Sequence, residues 1–293
     1  MSILHPSQGN LGEYICATLF TTTFVNHKKM NGKEDTTSVT GNATAQQNDY
    51  EKFHALHHRS KPLVIANVWN AKSAKLVEKN GYDALATSSG AIADSLGYED
   101  GEKIPFDELL YILQRIKSCT SIPLSVDLER GYADHADDVN DHIQKLIDTG
   151  VAGINLEDAQ GEEIYLKKLT GIKNYLEKTG QKLFINARSD AFLLKLPSPL
   201  ETTLKRAKLY QDAGADGVFV TAIQDPSLIK EITSATALPV NVVGVPQLSS
   251  IETLTECGVR RISMAVFLYR ATYHQLENMV RNIETTHSLA PLF

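Results

Sequence analysis

The chain has 293 residues, of which 42% are hydrophobic and 22% are charged, and its formal net charge is −6 at pH 7. This composition is typical of one large globular domain, and the negative charge argues against a nucleic-acid-binding surface. No apolar run approaches the roughly 18 residues of a membrane span. The three cysteines, Cys16, Cys119 and Cys257, form neither a CxxC nor a Cys/His pair, so we expect no disulfide, no zinc site and a reducing, cytoplasmic setting.

The first fifty residues differ in character from the rest of the chain. Residues 27–50 are polar and lack apolar periodicity, which is typical of a segment that cannot form a core. We therefore predict a poorly ordered extension over residues 1–50 and a folded domain over residues 51–293. The apolar run at 14–25 is compatible with a weak targeting segment, an extra strand or helix, or sequence upstream of a second start at Met30.

From residue 51 onward, short apolar runs alternate with segments of helical periodicity. The runs are continuous rather than alternating, as is typical of parallel strands that are buried on both faces. The predicted strands are 63–68, 84–89, 123–128, 153–158, 183–189, 217–222, 239–244 and 261–266. Repeated β/α units of this kind predict an α/β fold, a (β/α)8 TIM barrel, with an open doubly wound sheet as the alternative.

Between these runs, apolar residues recur at the spacing of amphipathic helices. One stripe consists of Phe106, Leu109, Leu110, Leu113 and Ile116. Another consists of Val139, Ile143, Leu146 and Ile147. Gly150 follows the second stripe as a helix end, and Asp225-Pro226 has the order of an N-cap and a first helical residue.

Polar side chains follow the carboxyl ends of several predicted strands, where barrel enzymes carry their active sites. Asp127 and Glu129 end the third strand, and two residues so spaced on a strand point the same way. Glu157 ends the fourth strand. Carboxylates brought together repel one another, so we expect a cation among them, and oxygen ligands alone favour Mg²⁺ or Mn²⁺ over zinc. The alternative, solvated surface charge, suits Asp94 and Glu99 better.

Arg188 ends the fifth predicted strand. Its planar fork can hold a substrate carboxylate through two hydrogen bonds. The alternative is a structural salt bridge to Glu157 or Asp190. The histidines that precede the first strand are expected at the surface: His54, His57 and His58.

Five strand-end segments together resemble the isocitrate lyase/phosphoenolpyruvate mutase superfamily, most closely its phosphoenolpyruvate-mutase-like branch. The resemblance spans about residues 52–280 and preserves the order of the segments along the chain. They are NVWNAKSAKLVEKNGYDALATSSGAIADSLGYEDGE, SVDLERGY, GINLED, INARSD and AGADGVFV. It implies a homotetramer in which the last helix, supplied by residues 268–287, is swapped between barrels. More broadly, we expect a homo-oligomer, either a dimer or a tetramer.

The resemblance also implies roles for individual residues. Asp127 would bind Mg²⁺ directly, while Glu129, Glu157 and Asp100 would hold metal-bound waters. Arg188 would grip the carboxylate of a small oxo-carboxylate substrate. Asp100, Glu157 and Arg188 would thus form the catalytic set.

Further residues would bind the substrate itself. Backbone N–H groups of Ser89, Gly90 and Ala91 would cradle the oxyanion, and Trp69 would line the pocket, although Trp69 is equally compatible with core packing. The general acid or base stays open among Tyr98, Tyr132 and a metal-bound water.

One segment departs from the family pattern. The isocitrate and methylisocitrate lyases of the superfamily carry a loop after the fourth strand with a cysteine as general acid, whereas residues 159–171 contain neither cysteine nor histidine. Lys167 and Lys168 are the basic residues there, and we expect them on a helix face.

The leading hypothesis is a Mg²⁺-dependent lyase that cleaves a C–C bond of a small 2-oxo or hydroxy acid through a pyruvate-like enolate. The alternatives are phosphonopyruvate mutase or hydrolase chemistry and a non-catalytic oxo-acid-binding barrel.

Overall fold

Parallel strands close into a barrel in the computed structural model, which describes residues 37–293. Each strand pairs with the next along the chain, and the last pairs with the first, so the sheet has no open edge. The strands are β1 (Leu63–Val68), β2 (Leu85–Thr87), β3 (Leu124–Asp127), β4 (Gly153–Glu157), β5 (Phe184–Ser189), β6 (Gly217–Val220), β7 (Val240–Val243) and β8 (Arg261–Ser263). The predicted TIM barrel is confirmed, and every predicted strand overlaps an observed one.

Helices connect the strands and cover the barrel. They are α1 (Thr37–Leu56), α2 (Ala71–Lys79), α3 (Ser89–Ser95), α4 (Phe106–Lys117), α5 (Ala136–Asp148), α6 (Glu162–Thr179), α7 (Pro199–Asp212), α8 (Pro226–Ala235), α9 (Ile251–Glu256) and α10 (Phe267–Thr286). A short 3-10 helix, Ala290–Leu292, follows. Within residues 37–293, none of these helices combines the length and apolar content that crossing a membrane requires.

The two predicted apolar stripes face the core. All four stripe residues of α5 are buried, and in α4 every stripe residue except Leu110 is buried. The helix boundaries also follow the predicted signals: Gly150 takes a φ of +88° after α5, and the Asp225 side chain accepts a hydrogen bond from the Ser227 N–H at 2.8 Å at the start of α8. Local sequence therefore fixes where these helices begin and end.

Helix α1 extends into the region that we expected to be poorly ordered. It begins at Thr37, so residues 37–50 are helical. The buried Gln46 amide donates to the backbone carbonyl oxygens of Val151 at 2.9 Å and Lys182 at 2.8 Å, which attaches the helix to the barrel. Polar anchoring of this kind leaves no apolar periodicity in the sequence. The rest of the predicted extension, with its apolar run and second start, lies outside the described residues.

An aromatic cluster fastens the end of α1 beneath the barrel. Phe53 is fully buried and packs edge-on against Phe184 and His57, with ring centroids 5.4 and 4.6 Å apart. His57 is also buried and stacks on Phe184 at 4.2 Å. The prediction that His57 lies at the surface is therefore wrong: Phe53, Leu56 and His57 have the i, i+3, i+4 spacing of one helix face.

The interior of the barrel is unusually polar for this fold, whose interior is commonly filled by branched aliphatic side chains. The Asn186 amide donates to the Asn155 oxygen at 2.9 Å, and the Asn241 amide donates to the Ser263 hydroxyl at 3.2 Å. Arg261 is almost completely buried. This polar column leads up to the carboxyl ends of the strands, where the predicted site residues lie.

We expect Phe53→Ala to lower the free energy of unfolding by about 3–5 kcal/mol, because it leaves a cavity beneath the barrel. Lys52→Ala, at the exposed neighbouring position, is the matched control and should change stability by less than about 0.5 kcal/mol. Urea unfolding followed by circular dichroism measures both. A change below about 1 kcal/mol in Phe53→Ala would show that α1 does not dock as the structure describes.

Candidate active site

A cavity of about 320 Å³ opens at the carboxyl ends of the strands. The structure brings several predicted site residues together in its lining: Ser89, Gly90, Asp100, Asp127 and Arg188. Asn67 and Asn155, whose side chains project from the polar interior, complete this wall. The cavity is therefore the candidate active site, at the end of the barrel where the fold places catalytic groups.

Asp127 is the last residue of β3 and is held from several sides. Its Oδ2 accepts hydrogen bonds from the Ser89 hydroxyl at 2.9 Å and the Ser89 N–H at 3.4 Å, and its own N–H donates to the Thr87 hydroxyl at 2.9 Å. The other oxygen, Oδ1, is buried and has no hydrogen-bond partner among residues 37–293. A buried carboxylate oxygen without a partner is costly, so this atom is suited to bind a cation.

Glu129 and Glu157 lie close to Asp127, but Glu129 is not on the strand. β3 ends at Asp127, and Glu129 has a left-handed backbone with a φ of +49°. The prediction that Asp127 and Glu129 point the same way because they are two apart on one strand is therefore wrong: Glu129 lies beyond the strand. Its carboxylate is buried and accepts a hydrogen bond from the Tyr132 hydroxyl at 3.1 Å. Glu157 ends β4 and forms an ion pair with Arg188, Oε2 to Nη1, at 2.7 Å.

Burial disfavours the charged form of both glutamates in this cluster and raises their pKa values. The pKa of Glu129 is raised to about 7, first by burial and then by the negative charges of Asp127 and Asp100. Burial likewise raises the pKa of Glu157 to about 8, although Arg188 opposes the shift. A divalent cation bound among these carboxylates would relieve both their repulsion and their loss of hydration.

Arg188 forms salt bridges with both acidic residues that the sequence indicated as alternative partners, Glu157 and Asp190. Nε and Nη2 donate to the two oxygens of Asp190 at 2.8 and 3.0 Å, and Nη1 is paired with Glu157. Three of its five N–H groups are thus engaged with described residues, which leaves two. Because Arg188 also lines the cavity, those two groups are the ones able to bind a substrate carboxylate.

A buried network that sequence reasoning missed holds the Asp190 carboxylate in place. Asp190 Oδ1 accepts a hydrogen bond from the Thr221 hydroxyl at 2.7 Å, and its N–H donates to Asp158 at 3.1 Å. Asp158 in turn accepts from Arg206 at 2.7 Å and from the Tyr210 hydroxyl at 2.6 Å. Only the position of Asp158 at the end of GINLED could have suggested it, since its partners come from a distant helix.

Two of the predicted substrate-binding residues do not line the cavity. The Trp69 ring packs edge-on against Tyr269, with centroids 5.2 Å apart, so it adopts the core-packing alternative. Ala91 is fully buried, and its N–H donates at 3.3 Å to the hydroxyl of Ser88, which is the N-cap of α3. The N–H groups of Ser89 and Gly90 remain beside the cavity.

The basic pair of residues 159–171 also points elsewhere. Lys167 is exposed and pairs with Glu163 on α6 at 2.7 Å. Both lysines lie on α6, as predicted, but Lys168 is buried and donates to the Arg130 carbonyl oxygen at 2.8 Å and to Gln160 at 2.7 Å. Neither lysine borders the cavity. Lys168 instead joins the loops that follow β3 and β4.

The candidate acid/base residues are engaged as donors. The Tyr98 hydroxyl donates to Glu108 at 2.9 Å, and Tyr98 lines a neighbouring cavity rather than this one. The Tyr132 hydroxyl donates to Glu129, and burial raises the pKa of Tyr132 far above its ordinary value. Tyr132 is therefore poorly suited to give up a proton.

The carboxylates of the described residues do not form a closed set of direct metal ligands. Among the described residues, no three His, Cys, Asp or Glu side chains lie close enough together to ligate one ion directly. Mg²⁺ commonly keeps several waters and binds through one or two carboxylates, so Asp127 as direct ligand with Glu129 and Glu157 farther out fits this ion. Zinc, which takes N and S ligands in closed sites, does not fit.

Comparison with known proteins identifies the family. The family model described as Phosphoenolpyruvate phosphomutase matches residues 53–284. The chain belongs to this family. The family lies within the isocitrate lyase/phosphoenolpyruvate mutase superfamily that the strand-end segments predicted, and the predicted resemblance is confirmed.

Similar proteins carry several activities. An uncharacterised protein of Mycobacterium tuberculosis is 33% identical over 238 residues, 81% of this chain and 90% of its own length. The 2-methylisocitrate lyase of Escherichia coli is 28% identical over 230 residues, 74% of this chain and 76% of its own length. A solved structure from Burkholderia cenocepacia, provisionally named a phosphonomutase, is 36% identical with a TM-score of 0.75, covering 80% of this chain and 99% of that one.

In the absence of divalent cations, we expect the free energy of unfolding to fall as the pH rises from about 4.5 to about 8 and to level off above that. The pKa values of Glu129 and Glu157 are raised above 4.5 in the folded chain, to about 7 and about 8. Between the unfolded and the folded values the folded state holds protons that the unfolded state has lost, so the stability that these protons give is lost progressively over that range.

The variant Glu129→Gln should reduce that fall by about 1–3 kcal/mol, because the amide has no proton to lose. Glu177→Gln, at an exposed position of α6, is the control and should leave the pH profile unchanged. Denaturant unfolding with EDTA at a series of pH values gives the profiles. Parallel profiles for wild type and Glu129→Gln would contradict the raised pKa of Glu129.

Proposed function

We propose that the protein is a Mg²⁺-dependent lyase, with Mn²⁺ as a substitute, that cleaves a C–C bond of a small 2-oxo or hydroxy carboxylic acid. The reaction would pass through a pyruvate-like enolate. One observation carries the proposal: the buried Asp127 Oδ1 lacks a partner among the described residues and lies in a cluster whose carboxyl pKa values are raised. Such a cluster is stable in its charged form only with a cation.

The proposal gives each charged residue of the site a task, including Glu129 and Glu157, which are not among the residues that line the cavity. Asp127 would bind the ion directly, and Glu129, Glu157 and Asp100 would orient its waters. The bound ion would stabilise negative charge on the substrate's carbonyl oxygen as the neighbouring bond breaks. Arg188, fixed by its pairs with acidic neighbours, would hold the substrate carboxylate through its two remaining N–H groups.

The backbone at the start of α3 would support the same oxygen. The Gly90 N–H lies beside the cavity at the first turn of this helix, where N–H groups have no partner within the helix. Ser89 supports the proposed metal ligand instead, because its N–H and hydroxyl donate to Asp127 Oδ2 at 3.4 and 2.9 Å. A Cβ on Gly90 would come within 2.9 Å of the Asp100 carboxylate, so glycine lets Asp100 approach this backbone.

Names of similar proteins support C–C cleavage. Besides the 2-methylisocitrate lyase, the oxaloacetate decarboxylase of Bradyrhizobium diazoefficiens is 28% identical over 191 residues. The alternative, C–P bond chemistry, draws support from the family's description. It predicts a basic side chain from 159–171 at the substrate, whereas Lys167 and Lys168 both point away from the cavity. The positions of both lysines therefore argue against C–P chemistry.

Oxalate, a planar mimic of the pyruvate enolate, tests the site. We expect oxalate to stabilise the protein only when Mg²⁺ is present, by about 2.7 kcal/mol beyond Mg²⁺ alone at 100 times the dissociation constant of oxalate. Asp127→Asn should abolish this effect and any pyruvate-releasing turnover. The control is Asp107→Asn, whose side chain is 86% exposed. Thermal unfolding measures the stabilisation, and an unchanged response in Asp127→Asn would rule out Asp127 as the metal ligand.

We also propose that the protein is a homo-oligomer joined through α10. Tyr273, Leu276 and Val280 form a stripe at helical spacing on this helix, and they are 42%, 49% and 58% exposed. They line an open groove on the surface of the described chain. An apolar stripe of this kind typically marks a protein interface. A second copy packing on α10 agrees with the swapped helix implied by the family resemblance.

The double variant Leu276→Glu/Val280→Glu should dissociate the oligomer, because it places buried charges in the proposed interface. Light scattering coupled to gel filtration would then show the monomer mass, against a dimer or tetramer for wild type. Leu76→Glu, at a residue of α2 that is 48% exposed, controls for the added charge. A wild-type protein that is already monomeric would contradict the interface.

A further inference from the structure

The cavity at the mouth of the barrel has two chemically different halves. The side formed by β1 to β5 carries the amides, carboxylates and guanidinium described above. The side formed by the end of β6, by β7 and β8, and by the segment after β5 is lined mainly by apolar side chains. They are Leu193, Phe219, Val243, Val245, Val266 and Phe267.

The hydroxyl groups on the apolar side are already used within the protein. The Thr221 hydroxyl donates to Asp190 Oδ1 at 2.7 Å, and Ser263 accepts a hydrogen bond from the Asn241 amide at 3.2 Å. Both residues line the cavity. This half therefore presents hydrocarbon to a ligand, and its side chains offer little polar recognition.

The charges of the lining point the same way. Among the described residues that line the cavity, Arg188 is the only cationic side chain, and Asp100 and Asp127 belong to the same polar half. With an ion held by these acids, the polar half would take the oxo-acid end of the substrate, whose carboxylate would bind at Arg188. A second carboxylate at the other end would lie against the apolar half, where no described lining side chain is cationic and a charge without a partner is unfavourable.

Arg270 is not among the residues that line this cavity. It lines a neighbouring cavity, which shares Asp100 with this one and also has Asp94 and Glu99 in its lining, so carboxylates outnumber its charge there. Its guanidinium lies over the Phe267 ring, 6.0 Å from the centroid.

We propose that the substrate is a monocarboxylic oxo acid with a branched or aromatic apolar substituent. Its oxo-acid end would bind at the polar half and its substituent at the apolar half. This inference rests on the proposed function and narrows it: di- and tricarboxylates, including oxaloacetate-like acids, are excluded as preferred substrates.

For a lyase, the class described is a 4-hydroxy-2-oxo acid that bears an apolar group at C4. Breaking the C3–C4 bond leaves the electron pair on C3 as the enolate of pyruvate. The C4 hydroxyl loses its proton and becomes the carbonyl of an apolar aldehyde, and C3 takes up one proton. The sum is redox-neutral and needs no co-reactant.

Two isosteric ligands test the inference without turnover. 2-Oxo-5-methylhexanoate carries an isopropyl group where 2-oxoglutarate carries its second carboxylate. With Mg²⁺ present, calorimetry should show at least about 10-fold tighter binding of the isopropyl compound, the fold-change expected for burying a group of this size. Equal or tighter binding of 2-oxoglutarate would overturn the inference.

A pair of adjacent variants sharpens the test. Leu193→Arg adds a cation to the cavity rim, whereas Leu194→Arg adds the same charge at a residue that does not line the cavity. Both leucines are about half-exposed, so neither change should impair folding. Leu193→Arg alone should shift the binding ratio toward 2-oxoglutarate, by about 3-fold or more. An equal shift in both variants would contradict the assigned apolar half.

Oxalate separates failure of this inference from failure of the proposed function. If oxalate binds with Mg²⁺ but neither oxo acid does, the apolar half is not a substrate site, while the polar half stands. If oxalate does not bind either, the proposed function falls and this inference falls with it.

Discussion

The constraint on which this site depends is the crowding of carboxylates at the ends of neighbouring strands. β3 ends in Asp127 and β4 ends in Glu157, and the left-handed backbone of Glu129 brings its carboxylate into the same region. Their mutual repulsion and lost hydration raise the pKa values of both glutamates. A protein gains nothing in stability from such a cluster, which is why it indicates function.

Two arginines, Arg188 and Arg261, supply positive charge to the cluster, and neighbouring residues hold Arg188 in place. Arg188 is fixed by Asp190, whose backbone is fixed by Asp158, and Asp158 is held by residues of α7. Arg261 lies in the barrel interior, where burial lowers its pKa to about 10. The negative charge of Asp127 opposes this shift, because it favours the charged form of Arg261. At neutral pH it remains a cation. Asp127 therefore lies between a buried positive charge and the open cavity.

Sequence reasoning succeeded where local pattern decides structure. Continuous apolar runs located the strands, and the stripe of α5, the Gly150 turn and the Asp225 cap were all read correctly. The strand ends also placed Asp127, Glu157 and Arg188 at one mouth, because a closed barrel brings all such ends together.

It failed where partners come from distant elements. His57 is buried by Phe184, more than a hundred residues away, and Trp69 packs on α10 rather than facing the cavity. Lys168 is buried because the loops after β3 and β4 provide acceptors for its charge. No local periodicity records such contacts. The division of the cavity into polar and apolar halves likewise depends on residues spread from β1 to α10.

Paramagnetic resonance of bound Mn²⁺ would test the central claim most directly, that this mouth binds a divalent cation together with an oxo acid. Mn²⁺ would be titrated into the protein, and its spectrum recorded before and after addition of isotopically labelled oxalate. The account predicts a protein-bound Mn²⁺ signal that gains hyperfine coupling to the labelled carbon. A spectrum of free Mn²⁺, or a bound signal that oxalate leaves unchanged, would contradict it.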